Sequence, residues 1–466
     1  MSTAQIPRHD CGAPAPDDIL HAACSNTYDS AYWSLWITLP MIGNMCNSGP
    51  ADQDGREPMR ITSRDFLSVS RLRCRMCRLI VALFTAACAM AMLAPSRAED
   101  VGPLSIAKTG HFFVGGKYVD TKDGAVLAGQ AYVEYYIPTA RTHPHPIVMI
   151  EGCCLAGAGY MGTPDGRDGW GQYFLSKGYA IYIMDQVGRG RSPYVEAVYG
   201  PKSMRAARSV ERDFIAYEKY NLFPQAKLHT QWPGSGTVGD PIFDQFMAET
   251  LPMIGDARIR EAVNRDATIA LLDKIGPAIL MPHSQSAAPV WLVADARPQL
   301  VKALLMVEAG TSSFYEVKLV GAPDWFKDGE LAKPFGITYS PITYAPPVKG
   351  IEDFALARQD KPDAPDLARC WQQKEPVHKL TNLKAIPTLQ MSAEASFGAP
   401  TAHCNAAFLK QAGVPVDLIR LADIGIRGNG HFLMLEQNNL EIAAVIADWL
   451  DKQVTPAEAT VGAKSR

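Results

Sequence analysis

The chain has 466 residues, and its 45 basic and 48 acidic side chains leave a formal net charge of −3. A balance this even excludes recognition of nucleic acid or an anionic membrane surface by bulk charge. Hydrophobic residues make up 47% of the chain, enough for a large globular core rather than a disordered or fibrous protein.

The first hundred residues read as processing rather than fold. Residues 1–58 carry scattered Pro, Gly and Cys without periodicity, and are expected to be a non-native or disordered extension, with Met59 or Met76 as candidate true starts. Residues 59–98 form a secretory signal region. Arg71-Leu-Arg-Cys-Arg-Met-Cys-Arg78 is a cationic segment, Leu79–Leu93 is mostly apolar, and Ser96-Arg97-Ala98 places small residues where a signal peptidase reads. Cleavage is expected after Ala98, giving a secreted or periplasmic protein that starts at Glu99, with no membrane insertion thereafter. A single N-terminal anchor is the competing reading. Lipid attachment at Cys88 fits less well, because Thr85 stands where leucine is expected.

Of ten cysteines, only Cys153, Cys154, Cys370 and Cys404 lie beyond that cut. An even number in an exported chain favours disulfides. Adjacent Cys153 and Cys154 can join each other, which leaves Cys370 for Cys404; two buried thiols at 153 and 154 are the alternative. No second Cys or His pair completes a zinc site.

Residues 99–466 alternate between strand-like and helix-like segments. Gly110–Val119 and Gln130–Ile137 predict an antiparallel pair. Ile147–Glu151, Ala180–Asp185, Ala278–Met281, Ala303–Val307, Thr388–Met391 and Asp417–Leu421 are short apolar runs suited to a parallel sheet buried on both faces. Helical patterns fall at Gly169–Lys177, Ala287–Ala296, Ala402–Ala412 and Leu440–Lys452. The sum is an α/β fold, mostly parallel sheet flanked by helices. Segments 193–265 and 311–385 are too long for connections and predict cap insertions over the carboxyl edge, where such folds place their sites. Aromatic residues there, Trp232, Phe243, Trp325, Phe335 and Tyr339, are candidates for a pocket lining, although cap core is the plainer role.

Four places carry chemistry. Ala278-Ile-Leu-Met-Pro-His-Ser284-Gln-Ser286-Ala-Ala288 reads as a strand–turn–helix nucleophile elbow at Ser284, degenerate because Pro282 occupies a usual glycine position. Glu151-Gly-Cys-Cys-Leu-Ala-Gly157 follows the third strand, where an oxyanion donor is sited; the N–H of Gln285 would be the other donor. His431 follows the last strand, in the chain position of a catalytic histidine, with His403 as the lesser candidate. The acid is open between Glu308, ending the sixth strand, and Glu394, following the seventh. The run Asp185-Gln-Val-Gly-Arg-Gly-Arg-Ser192 fits neither dinucleotide nor P-loop spacing and reads as a structural turn.

Six segments fall in the order found in a group of secreted bacterial esterases: Glu151-Gly-Cys-Cys154, Thr163-Pro-Asp-Gly-Arg167, Asp185-Gln-x-Gly-Arg-Gly-Arg-Ser192, His283-Ser-Gln-Ser286, Val307-Glu308-Ala-Gly310 and Gly428-Asn-Gly-His431. The chain thus resembles a branch of the α/β-hydrolase superfamily with adjacent cysteines at the oxyanion hole, departing from it in Ala287 where glycine is usual. The resemblance implies a serine carboxylic-ester hydrolase without cofactor or metal. It implies Ser284 as nucleophile, His431 as base, Glu308 as acid, a bonded Cys153–Cys154 pair, and oxyanion N–H groups at Cys153 and Gln285. A lactonase or peptidase would use the same triad. A dehalogenase would need aspartate at 284, and a binding module on this fold usually lacks an intact triad.

Overall fold

The computed structural model describes residues 101–309 and 312–454. The extension, the signal region, the expected cleavage at Ala98 and the Cys88 alternative lie outside the described residues.

Eight strands form the central sheet: β1 (Ile106–Thr121), β2 (Gly124–Pro138), β3 (Ile147–Ile150), β4 (Ile181–Met184), β5 (Ala278–Pro282), β6 (Val301–Val307), β7 (Thr388–Ser392) and β8 (Val416–Arg420). Their order is β1-β2-β4-β3-β5-β6-β7-β8. β1 and β2 form an antiparallel hairpin and β2 runs antiparallel to β4, whereas all later neighbours are parallel. The aromatic and β-branched opening pair and the six apolar runs are therefore the sheet, and the mostly parallel α/β architecture is as the sequence predicts.

The short runs are apolar throughout because both faces are covered. Along β3, Ile147 and Met149 enter one core while Val148 and Ile150 enter the other, and β5 divides Ile279 and Met281 from Ala278 and Leu280 in the same way. Alternation persists, but neither set meets water. Helices α1 (Trp170–Ser176) and α6 (Asn439–Gln453) cover the first face. Helices α3 (Ala257–Ile275), α4 (Ala287–Ala296) and α5 (Ala402–Gln411) cover the second.

Helix α3 has no counterpart in the sequence reading. It begins inside the 193–265 segment and packs Ala267, Leu271 and Leu272 into the core shared with Val114 and Ala131 of the first hairpin. Its apolar stripe is thin, with charged residues on much of its surface. The local signals are at its ends: the Asp256 carboxylate accepts the N–H groups of Arg258 and Ile259, and Gly276 stops the helix at φ 83°.

Before α3 the first long segment forms short turns of helix, including Glu211–Ile215, and α2 (Pro241–Ala248). The second contains a hairpin of Tyr315–Gly321 with Trp325–Leu331, and the paired strands Leu356–Arg358 and Trp371–Gln373. It also sends Phe314, Phe335, Tyr344 and Phe354 into the core beneath the sheet. Cys370 and Cys404 are bonded to each other, fastening this segment to α5, and Cys153 is bonded to Cys154.

Candidate active site

Ser284 follows β5 with φ 54°, a left-handed conformation that a side chain adopts only when its surroundings enforce it. The turn is fastened by Ser286, whose buried hydroxyl donates to the carbonyls of Ile150 and His283 at 2.8 Å each. Gly152, at the end of β3, lies directly against the turn. A Cβ there would stand 2.8 Å from Ser284 Cβ and 2.7 Å from His283 Nδ1, so the loop can pass Ser284 only with glycine.

Three groups of the sequence reading converge here. Ser284 Oγ lies 2.9 Å from His431 Nε2, and His431 Nδ1 lies 3.1 Å from Glu308 Oε2. Glu308 closes β6 with φ 49° and is 5% exposed. Its carboxylate also accepts the Ala393 N–H at 2.6 Å and the Ser396 hydroxyl. Glu394 is turned elsewhere, accepting from Arg427 at 2.6 Å and from the Gly428 N–H at 2.8 Å. His403 sits beside Cys404, with Asp363 as its acidic neighbour. Cys153, Ser284 and Gln285 line one cavity.

His431 is 1% exposed and surrounded by the rings of Phe214, Phe397 and Phe432. Burial, followed by the neighbouring His283, holds its imidazole well below the ordinary histidine range, which keeps it neutral at physiological pH. Burial pushes the Glu308 carboxyl up, while donation from Ser396 and Ala393 opposes this and favours its charged form. A carboxylate so poorly solvated gains most when the imidazole beside it takes a proton.

The loop bearing His431 is held from several sides. Glu436 accepts from His229 Nε2 at 2.7 Å and from the Gly430 N–H and Asn429 side chain at 2.8 Å each. Tyr217 accepts the His431 N–H at 3.0 Å. Arg167, from the Thr163-Pro-Asp-Gly-Arg turn, donates at 2.8 Å to the carbonyls of Leu435 and Glu436. His283, which the sequence reading gave no role, donates from Nε2 to the His431 carbonyl at 2.9 Å and faces Glu151 across 3.4 Å. Adjacency to Ser284 was the only signal for it. The Asp185–Ser192 run is a turn in which Asp185 accepts from the Gly157 and Arg191 N–H groups at 2.9 Å each.

The cavity at Ser284 has a volume of about 880 Å³. Of the five aromatic residues proposed from sequence only Tyr339 lines it; the others there are Phe214, Phe223, Trp291 and Phe397. Phe243 and Phe335 are buried core, and Trp232 packs edge-on against Phe246. Among the described residues, the grouping with ligand-like spacing is Cys370, His403 and Cys404, whose sulfurs are already joined and offer no thiolate. Also among the described residues, no helix is long and apolar enough to cross a membrane.

No family model matches the chain. It is 41% identical over 350 residues to a probable secreted lipase, phiG, of Fungal sp. (strain ATCC 74256), covering 74% of this chain and 90% of that one. Among solved structures it is similar to a bacterial esterase, with 26% identity, a TM-score of 0.52, and coverage of 77% of this chain and 99% of the other.

Proposed function

The chain belongs to the α/β-hydrolase superfamily, in the branch of secreted esterases with adjacent cysteines, and is a carboxylic-ester hydrolase; we propose that it acts through an acyl-enzyme on Ser284. The observation that carries this reading is the unbroken relay from Ser284 Oγ through both nitrogens of His431 to Glu308, at 2.9 and 3.1 Å.

His431 takes the hydroxyl proton as Ser284 Oγ attacks the ester carbonyl carbon. Glu308 fixes the ring so that Nε2 faces the serine, and stabilises the imidazolium. The Cys153 and Gln285 N–H groups receive the negative charge that collects on the carbonyl oxygen. His431 then returns its proton to the leaving alcohol. Water attacks the acyl-enzyme with His431 again as base, releasing the acid and restoring Ser284.

A cavity of about 880 Å³, lined in part by the aromatic Phe214, Phe223, Trp291, Tyr339 and Phe397, suits an ester of small-molecule size with an apolar portion. The likeness to a secreted lipase supports export of this chain as well, in keeping with its signal-like leader. A panel of p-nitrophenyl esters of increasing acyl length, with a matched lactone and anilide, tests the reading. Turnover of the esters with a pre-steady-state burst of p-nitrophenol supports it. Turnover without acyl-enzyme, or a preference for the anilide, contradicts it.

A further inference from the structure

Arg189 is a cation sealed inside the molecule, 2% exposed, and among the described residues no carboxylate forms an ion pair with it. An arginine kept charged and unpaired in the interior is costly, because little repays its lost hydration. Burial lowers the guanidinium only to about 9, so it remains a cation at neutral pH. Where its hydrogens go is unusual. Nη1 donates to the carbonyls of Gly152 and Leu155, the latter at 3.3 Å, and Nη2 donates to Gln285 Oε1 at 2.9 Å, while Nε has no partner.

These acceptors belong to the two segments that carry the oxyanion donors. The carbonyl of Gly152 and the N–H of Cys153 are one peptide unit. Since a trans peptide is planar and its N–H and C=O point in opposite directions, a donor that anchors the carbonyl also aims the N–H. Drawing electron density toward the carbonyl oxygen polarises the same N–H. The fork spans from this peptide to the residue after the nucleophile.

We propose that Arg189 is the positioning residue of the oxyanion hole, holding the Gly152–Cys153 peptide and Gln285 in register so that both N–H groups meet one oxygen. This rests on the acyl-enzyme reading above. The glycines at 188 and 190, with φ 75° and 56°, shape the turn that swings Arg189 inward while Arg191 goes outward to Asp185 and Glu134. The turn motif thereby serves the reaction without touching substrate.

The test compares Arg189→Lys and Arg189→Met with the wild-type enzyme, using p-nitrophenyl butyrate as substrate and an alkyl trifluoromethyl ketone as the tetrahedral analogue. Competent sites are counted by complete titration with a serine-directed phosphonate. The expected result for Arg189→Met is a kcat lower by ~10²-fold, the scale of losing one oxyanion donor. Affinity for the ketone falls in proportion and KM changes little. Arg189→Lys, which keeps a cation on the carbonyls but has no fork to reach Gln285, falls between. Wild-type kcat in folded Arg189→Met, or a loss confined to thermal stability with unchanged ketone affinity, overturns the proposal. If neither variant folds, Gln285→Leu decides: parallel losses in kcat and ketone affinity support it, and wild-type values overturn it. Ser284→Ala separates the two levels. Turnover retained there overturns the acyl-enzyme reading itself, whereas a dead Ser284→Ala beside a fully active Arg189→Met overturns only the role of Arg189.

Discussion

Gly152 and Ser284 are in contact, so closely that a Cβ on the first would lie 2.8 Å from the Cβ of the second. Its other neighbours, His283 Nδ1 at 2.7 Å and the His283 carbonyl at 2.9 Å, belong to a backbone-anchored turn and cannot swing aside. Gly152→Ala is expected to cost about 1–3 kcal/mol of stability, the range of overpacking a closed site. It also displaces the nucleophile, lowering kcat more than KM. Thermal unfolding and steady-state kinetics of the variant check both; a wild-type kcat would show that the loop has room.

The two carboxylates left open by sequence are separable by mutation. Glu308→Gln keeps the shape but offers an amide in place of the charge that stabilises the imidazolium. A kcat loss on the order of 10²-fold or more is expected, since a comparable change in a serine protease triad costs about 10⁴-fold. Glu394→Gln weakens a contact with Arg427, which is 66% exposed, and should leave kcat within a few-fold of wild type. Collapse in Glu394→Gln with activity kept in Glu308→Gln would reverse the assignment.

The pH profile follows from the burial of His431. A base must be neutral to accept the serine proton, and burial lowers its affinity for a proton. The acid limb of kcat/KM is therefore expected to have its midpoint below 6.5. Phe397, whose ring centroid lies 4.5 Å from that of His431, excludes water from it. Phe397→Ala should move the limb upward, toward 6.5. The same shift makes a stability statement: the unfolded chain binds a proton at this histidine more readily than the native one. Its contribution is present above pH 6.5 and is lost as pH falls through the lowered native value. A limb above 6.5, or one unmoved in Phe397→Ala, would contradict this.

Cys370 and Cys404 are separated by 34 positions and tie the second long segment to α5. Closing a loop of that length is expected to be worth about 3–4 kcal/mol through the unfolded state. The double variant Cys370→Ala/Cys404→Ala should lose stability on that scale while keeping kcat, because neither sulfur lines the cavity at Ser284. Denaturant unfolding of the active variant measures it.

Much of this was legible in the sequence because short apolar runs such as Ile147–Ile150 and Ala278–Pro282 have few other uses than a doubly covered sheet. Ser284 and His431 stood out because each follows such a run at a small-residue turn. The two carboxylates were not separable: Glu308 and Glu394 lie at or just after strand ends, and only the fold shows Arg427 beside Glu394 and His431 beside Glu308. Helix α3 escaped because its buried face includes the polar Glu261, Asn264 and Thr268, which interrupt the apolar stripe, and its boundary signals are single residues, Asp256 and Gly276. The cavity walls escaped for a different reason. Phe214 and Phe397 come from segments far apart in sequence, and nothing local distinguishes an aromatic residue that lines the cavity at Ser284 from one that fills the core.

The most direct test of the central claim is the site of covalent labelling. Incubation with diethyl p-nitrophenyl phosphate, proteolysis and mass spectrometry should place one diethylphosphoryl group on Ser284, with esterase activity lost in step and no label in Ser284→Ala. A label on another residue that accompanies inactivation, or esterase activity retained in Ser284→Ala, would contradict the account.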